Sequence, residues 1–149
     1  MQFYQVEPDV AGGLGEHTVL DPGTHPPRID RLHYEFEDWS GDALVTSFPC
    51  FLVTRQGKEK LEFLGATGVV FDDVEVSTSD IFKELKPGFE LPEFLWMKIV
   101  GEAGRDDFGI GPDFYLIVSE RALNALREIG LREAIVSACG AGEAGPADP

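Results

Sequence analysis

The chain has 149 residues, with 27 acidic against 12 basic side chains and a formal net charge of −15. Its length suits one domain, and 43% hydrophobic residues are enough for a core without metal or disulfide staples. The charge excludes ordinary binding to nucleic-acid phosphates, which needs Lys and Arg to neutralise them; it suits attraction of a basic partner, with solubility as the plain alternative.

Residues 1–7, MQFYQVE, predict a first strand and lack the basic start and long apolar run of a signal peptide. No stretch approaches the ~18 apolar residues that span a membrane, so the expectation is a cytoplasmic protein. Residues 8–30, rich in Gly and Pro, predict a long irregular segment. LHYEFEDW then alternates, with Leu32, Tyr34 and Phe36 on one side and His33, Glu35 and Glu37 on the other, as in a strand with one wet face. After DALVTSFPCFLVT, Thr54 can cap a helix running to about Leu64, closed by Gly65. GVVFDDVEV reads as a strand kinked at Asp72-Asp73. Ser77 with Asp80 resembles the capping arrangement of a short helix that must stop by Pro87-Gly88. FLWMKIV reads as a central strand, and GEAGRDDFGIGPD as a loop. YLIVSERALNALREIGL predicts a strand, a capping Ser119, an amphipathic helix and a closing Gly130. Residues 140–149 have nothing to bury and are expected to be disordered, leaving 1–139 as a single domain.

The last unit echoes FLVTRQGKEKLEFLGATG. Shifted by 65 residues, Val53 falls on Val118, Thr54 on Ser119, Leu61 on Leu126, Leu64 on Ile129 and Gly65 on Gly130. Each match has a mechanical reason: a cap, a core-facing leucine, a glycine that can leave the helix. The repeat therefore carries architecture rather than chemistry. Chance similarity of two capped helices is the rival reading, and two copies are too few for a solenoid.

Catalytic and cofactor patterns are absent. His17, His25 and His33 recur every eight residues, which fits no helix face, and no Cys joins them, so no metal site is expected. GGLG at 12–15 lacks the Lys-Ser/Thr of a phosphate loop and a following helix, and reads as a turn. The kinase-like letters Asp-Phe-Gly at 107–109 lack every other kinase part, and no Gly-x-Ser-x-Gly occurs. Cys50 and Cys139, each beside an apolar segment, read as buried thiols of a reducing compartment. Spacing alone leaves a disulfide between them open. What remains is surface. HYEFEDWSGD places Glu35, Glu37, Asp38 and Asp42 around Trp39 and two further aromatics, and Asp72-Asp73 and Asp106-Asp107 form smaller acidic pairs. Acids interleaved with aromatics supply steering charge and anchors for a basic protein; the plain reading is aromatics facing the core and acids facing water.

YQVEPDVAGGLGEHTVLD, LHYEFEDW with FPCFLVT, FDDVEVSTSDIFKEL to LPEFLWMKI, and DFYLIVSERALNALREIGL together resemble a family of bacterial immunity proteins of polymorphic-toxin systems. The resemblance covers nearly everything before the tail. It implies a small cytoplasmic protein, usually encoded beside a toxin, that neutralises that toxin by binding; the charge and the missing catalytic constellation agree, and no cofactor or catalytic residue is expected. The expected fold is a single α+β domain: a mixed, mostly antiparallel sheet with two or three packed helices and two similar strand-helix units. The expected partner surface comprises Glu35, Glu37, Asp38, Trp39, Asp42, Asp72, Asp73, Asp106 and Asp107. Two alternatives stay open: a small enzyme with dispersed site residues, and an acidic DNA mimic or ligand-binding module.

Overall fold

The computed structural model describes residues 2–139. The expected disordered tail lies outside them. The fold is α+β. Two of its helices arise from the same local recipe. Thr54 ends strand β7 (Cys50–Thr54), and its Oγ1 accepts the Gly57 N–H at 3.1 Å to start α1 (Arg55–Leu64). Gly65, at φ 73°, takes the left-handed conformation that ends it. Ser119 likewise ends β12 (Leu116–Ser119) and accepts the Ala122 N–H to start α3 (Glu120–Ile129). Leu61 and Leu126 are both buried, and the two helices pack against each other across one core. A Lys60–Glu128 ion pair spans them outside.

The equivalence extends beyond these units. β6 (Leu44–Ser47), β7, β10 (Phe94–Ile99) and β8 (Val69–Asp72) form one four-stranded sheet, in that order. β11 (Phe108–Ile110), β12, β1 (Phe3–Glu7) and β13 (Ile135–Ala138) form another in the same order. Registers agree as well as order. β1 pairs Tyr4 with Val118 and Val6 with Val136; β10 pairs Leu95 with Val53 and Met97 with Phe71. Even the helix entries match, because the Arg55 N–H donates to Glu93 O and the Glu120 N–H to Gln2 O. Each chain half thus contributes a β-β-β-α-β set, and the leading strands are exchanged: β1 lies in the second half's sheet and β10 in the first's.

The first half carries an addition. β2 (Gly12–Leu14), β5 (His33–Phe36) and β9 (Glu75–Thr78) make a three-stranded sheet, antiparallel on one side of β5 and parallel on the other. β3 (Val19–Asp21) pairs with β4 (Arg28–Arg31), and α2 is a short helix, Asp80–Leu85. The added sheet and α2 cover the β7–β10 sheet with a second core of Tyr34, Phe36, Leu52, Phe82, Phe94 and Trp96. Leu95 and Met97 point instead into the helix-side core. With both faces buried from Phe94 to Met97, β10 must be apolar over that stretch, and Lys98 and Ile99 beyond it are half-buried.

Several expectations need correcting. Residues 8–30 supply β2, β3 and part of β4, because a three-residue strand needs only a partner. A Cβ on Gly12 would collide with Glu35 O, so the glycine permits that pairing. The segment 101–113, read as a loop, contains β11. GVVFDDVEV breaks into β8 and β9, which join different sheets. Ser79, not Ser77, caps α2 by accepting the Phe82 N–H. His33, assigned to the wet face of its strand, is buried. Cys50 is a buried thiol outside any disulfide, and burial pushes it up to about 12, which removes thiolate reactivity near neutral pH. Among the described residues no helix is long and apolar enough to cross a membrane.

Candidate functional site

β5 ends at Phe36, and the chain turns because the Glu37 and Asp38 N–H groups both donate to Ala11 O, at 2.8 and 3.2 Å. Asp38 Oδ1 accepts the Trp39 N–H at 2.8 Å, and its carboxylate lies 3.5 Å from Lys86. Trp39 is then held from two sides. Its ring meets Phe94 edge-on, and its Nε1–H donates to Asp42 O at 2.9 Å. The half-buried indole forms one wall of a cavity of about 390 Å³. The other walls are the start of α1, through its N-cap Thr54, Gln56 in the first turn and Glu59 in the second, and the end of α3 at Ile129. At the rim Arg55 pairs bidentately with Glu93, at 2.8 and 2.6 Å, which holds that carboxyl below its ordinary pKa. Glu59 makes no hydrogen bond or ion pair of its own among the described residues and feels Arg55 only through space. The cavity therefore offers an aromatic wall, the end of α3 at Ile129 and one carboxylate without a partner.

The other predicted residues are dispersed. Glu37 and Asp38 are exposed beside Trp39, whereas Glu35 is half-buried in the middle strand of the added sheet. Asp72 and Asp73 are exposed where β8 ends, and Asp72 accepts from Lys98 Nζ at 2.7 Å, which lowers its pKa. Asp106 is half-buried and accepts the Glu102 N–H at 2.7 Å. Asp42 and Asp107 are 2% and 3% exposed, and no partner can reach them in this fold. Their place is internal. Asp42 accepts the N–H groups of Arg132 and Glu133, at 2.9 and 2.8 Å. Asp107 accepts the Thr67 N–H at 2.8 Å, the Ser119 hydroxyl at 2.6 Å, and Arg121 Nε and Nη2 at 2.9 and 2.7 Å. Each carboxylate ties down the opposite half of the chain. The 65-residue offset that aligns Thr54 with Ser119 also aligns Asp42 with Asp107 and Thr67 with Arg132, and that was the available signal.

The sequence reading weighed His17 and His33 and missed Glu75 and Ser77, which the fold brings to them. β5 sets His33 beside Glu75 and Ser77 of β9, and the residues after β2 bring His17 onto it, with the rings stacked at 4.9 Å. Possible ligand atoms of His17, His33 and Glu75 lie within 4.8 Å of one another. The hydrogen bonds decide what this cluster can do. His33 Nδ1 accepts the His17 backbone N–H at 3.1 Å, so its ring proton sits on Nε2 and points at Ser77 Oγ, 2.7 Å away. That tautomer offers Nε2 neither as a metal ligand nor as a base for the serine. His17 Nδ1 meets Glu75 at 2.8 Å, which holds the glutamate below its ordinary pKa. The arrangement pins residues 15–18 to the added sheet. No protein-family model matches the chain, and no curated protein matches it.

Proposed function

We propose that the protein is an immunity factor, a non-catalytic inhibitor that binds and neutralises a cognate bacterial toxin through its acidic surface. The reading centres on the turn at Glu37 and Asp38 and the cavity beside Trp39. The observation that carries it is an open, aromatic-walled cavity with an unpaired carboxylate on a chain of net charge −15. Excess negative potential steers a basic partner, and a half-buried indole gives it an anchor. The resemblance to immunity proteins supports the same class. Inhibition follows by covering the toxin's basic substrate groove.

The test has two parts. Co-expression with the toxic domain encoded beside the gene should restore growth, and the two chains should purify as one complex; absence of both ends the proposal. Replacing Glu37 and Asp38 together by Lys should then slow association about tenfold at low salt, and the difference should shrink as salt rises. Stopped-flow mixing measures this, and an unchanged low-salt rate removes the turn from the interface.

A further inference from the structure

The two halves of the molecule differ most informatively around one buried point. In the second half, Arg121 extends from the first turn of α3. Its guanidinium grips Asp107 and reaches across to the end of α1, where Nη1 and Nη2 lie 3.3 and 3.4 Å from Leu64 O and Gly65 O. In the first half the corresponding positions are Gln56, Asp42, Ile129 and Gly130. Gln56 makes no such bridge. Phe108, fully buried in the second half, is matched by Ala43. A shorter side chain and a smaller one leave room, and the room is the Trp39 cavity: Ala43, Thr54, Gln56 and Ile129 all line it. The chain builds the same socket twice and fills it once, with an arginine.

We infer that the open socket takes an arginine side chain presented by a protein partner. This rests on the binding role proposed above and names the partner group for the same cavity. Three features of the site favour a guanidinium. Ile129 O, at the end of α3, corresponds to the Leu64 O that Arg121 reaches, has no helical partner and carries the negative end of the helix dipole, while the counterpart of Gly65 O, Gly130 O, already accepts the Ala43 N–H at 2.7 Å. Glu59 stands at the rim without a counter-ion, since Glu93 is already held by Arg55. Trp39 supplies a flat face, on which a planar cation stacks better than an ammonium. Phosphate and carboxylate ligands would face the Glu59 and Glu93 carboxylates, and the groups at the start of α1 that could hold an anion are largely engaged: the Arg55 guanidinium by Glu93, the Arg55 N–H by Glu93 O and the Gly57 N–H by Thr54 Oγ1.

The probe is Nα-acetyl-arginine methylamide, titrated into the full-length protein while the indole N–H resonances are followed. The chain has two tryptophans, and Trp96 is buried in the second core away from this cavity, so it serves as the internal reference. The expected result is a saturable shift of the Trp39 signal at about millimolar probe, with the capped lysine weaker by roughly tenfold. Gln56→Arg should abolish the response by filling the socket from within; Glu59→Gln should weaken it about threefold. Both positions are exposed on α1, so the folded spectrum should persist. No saturable shift, an equal response to capped lysine, or a response unchanged in Gln56→Arg overturns the inference. A toxin complex that tolerates Gln56→Arg while the probe binds the wild type confines the failure to the partner group and leaves the inhibitory role standing.

Discussion

Asp107 and Asp42 occupy equivalent places, and comparing them separates two uses of a buried carboxylate. Asp42 satisfies two backbone N–H groups and has no cation, while Asp107 adds Arg121 and the Ser119 hydroxyl. Asp107→Asn loses a charge-assisted pair to a guanidinium that stays half-exposed to water, together with an acceptor for the Ser119 hydroxyl and the Thr67 N–H, so it should cost about 2 kcal/mol. Asp42→Asn loses only one acceptor and should cost about 1 kcal/mol. Urea unfolding at neutral pH measures both, and equal losses would contradict the distinction. The pH dependence has a definite sign. Arg121, followed by Ser119 and the Thr67 N–H, holds the Asp107 carboxyl well below the usual carboxylate range. A depressed folded value means that the stabilisation is complete above the unfolded value of about 3.9 and fades as pH falls further. The gap between wild type and Asp107→Asn should therefore narrow between pH 4 and lower pH, by about 1 kcal/mol or more at pH 3. In sequence, these two aspartates look like Asp38 and Asp106; what sets them apart is the offset between halves, which residue-by-residue reading of an acidic chain does not weigh.

Among elements, the capped helices show how far local chemistry decides structure. Thr54 and Ser119 both accept a helix N–H, but only Ser119 also donates, to Asp107. Thr54→Ala should cost about 1 kcal/mol, the ordinary loss of a cap. Ser119→Ala should cost about 2 kcal/mol, since it also leaves a buried carboxylate one donor short. Thermal unfolding of the two variants checks the order, and a smaller loss for Ser119→Ala would deny the shared network. Both helices were legible because cap, spacing and closing glycine lie within a dozen residues. β10 was legible because burial on both faces makes Phe94 to Met97 an unbroken apolar run. β2, β3 and β11 were not, being three residues long and defined by distant partners. The candidate cavity was half legible. Trp39, Glu37 and Asp38 stood out as an aromatic within acids, whereas Glu59, Gln56 and Ile129 come from two helices whose packing no local pattern reveals.

At the scale of the whole molecule, the exchange of β1 and β10 makes the chain nearly cyclic. In the first half, residues 73–93 connect β8 to its antiparallel neighbour β10. In the second, β13 lies antiparallel to β1, and the two strands stand at opposite ends of the described residues; the Cys139 N–H donates to Phe3 O at 3.0 Å. The geometry is that of a strand-exchanged dimer folded within one chain. A circular permutant follows from it. Residues 140–149 joined to Met1 would form the corresponding connection, and the chain would be opened between Pro87 and Gly88, which are exposed. The new order would begin with β10 and end with α2, keeping every strand pair. Closing one surface loop and opening another changes chain entropy little, so the permutant should fold with a stability loss under about 2 kcal/mol. Opening instead at Ala66, between α1 and β8, separates a helix from the strand that completes its repeat and frees the turn that Asp107 holds through Thr67. That permutant should lose distinctly more. Urea midpoints and near-ultraviolet circular dichroism of the two proteins decide the matter: if the first is unfolded, or if the second is the more stable, the halves are not the exchanging units described by their registers.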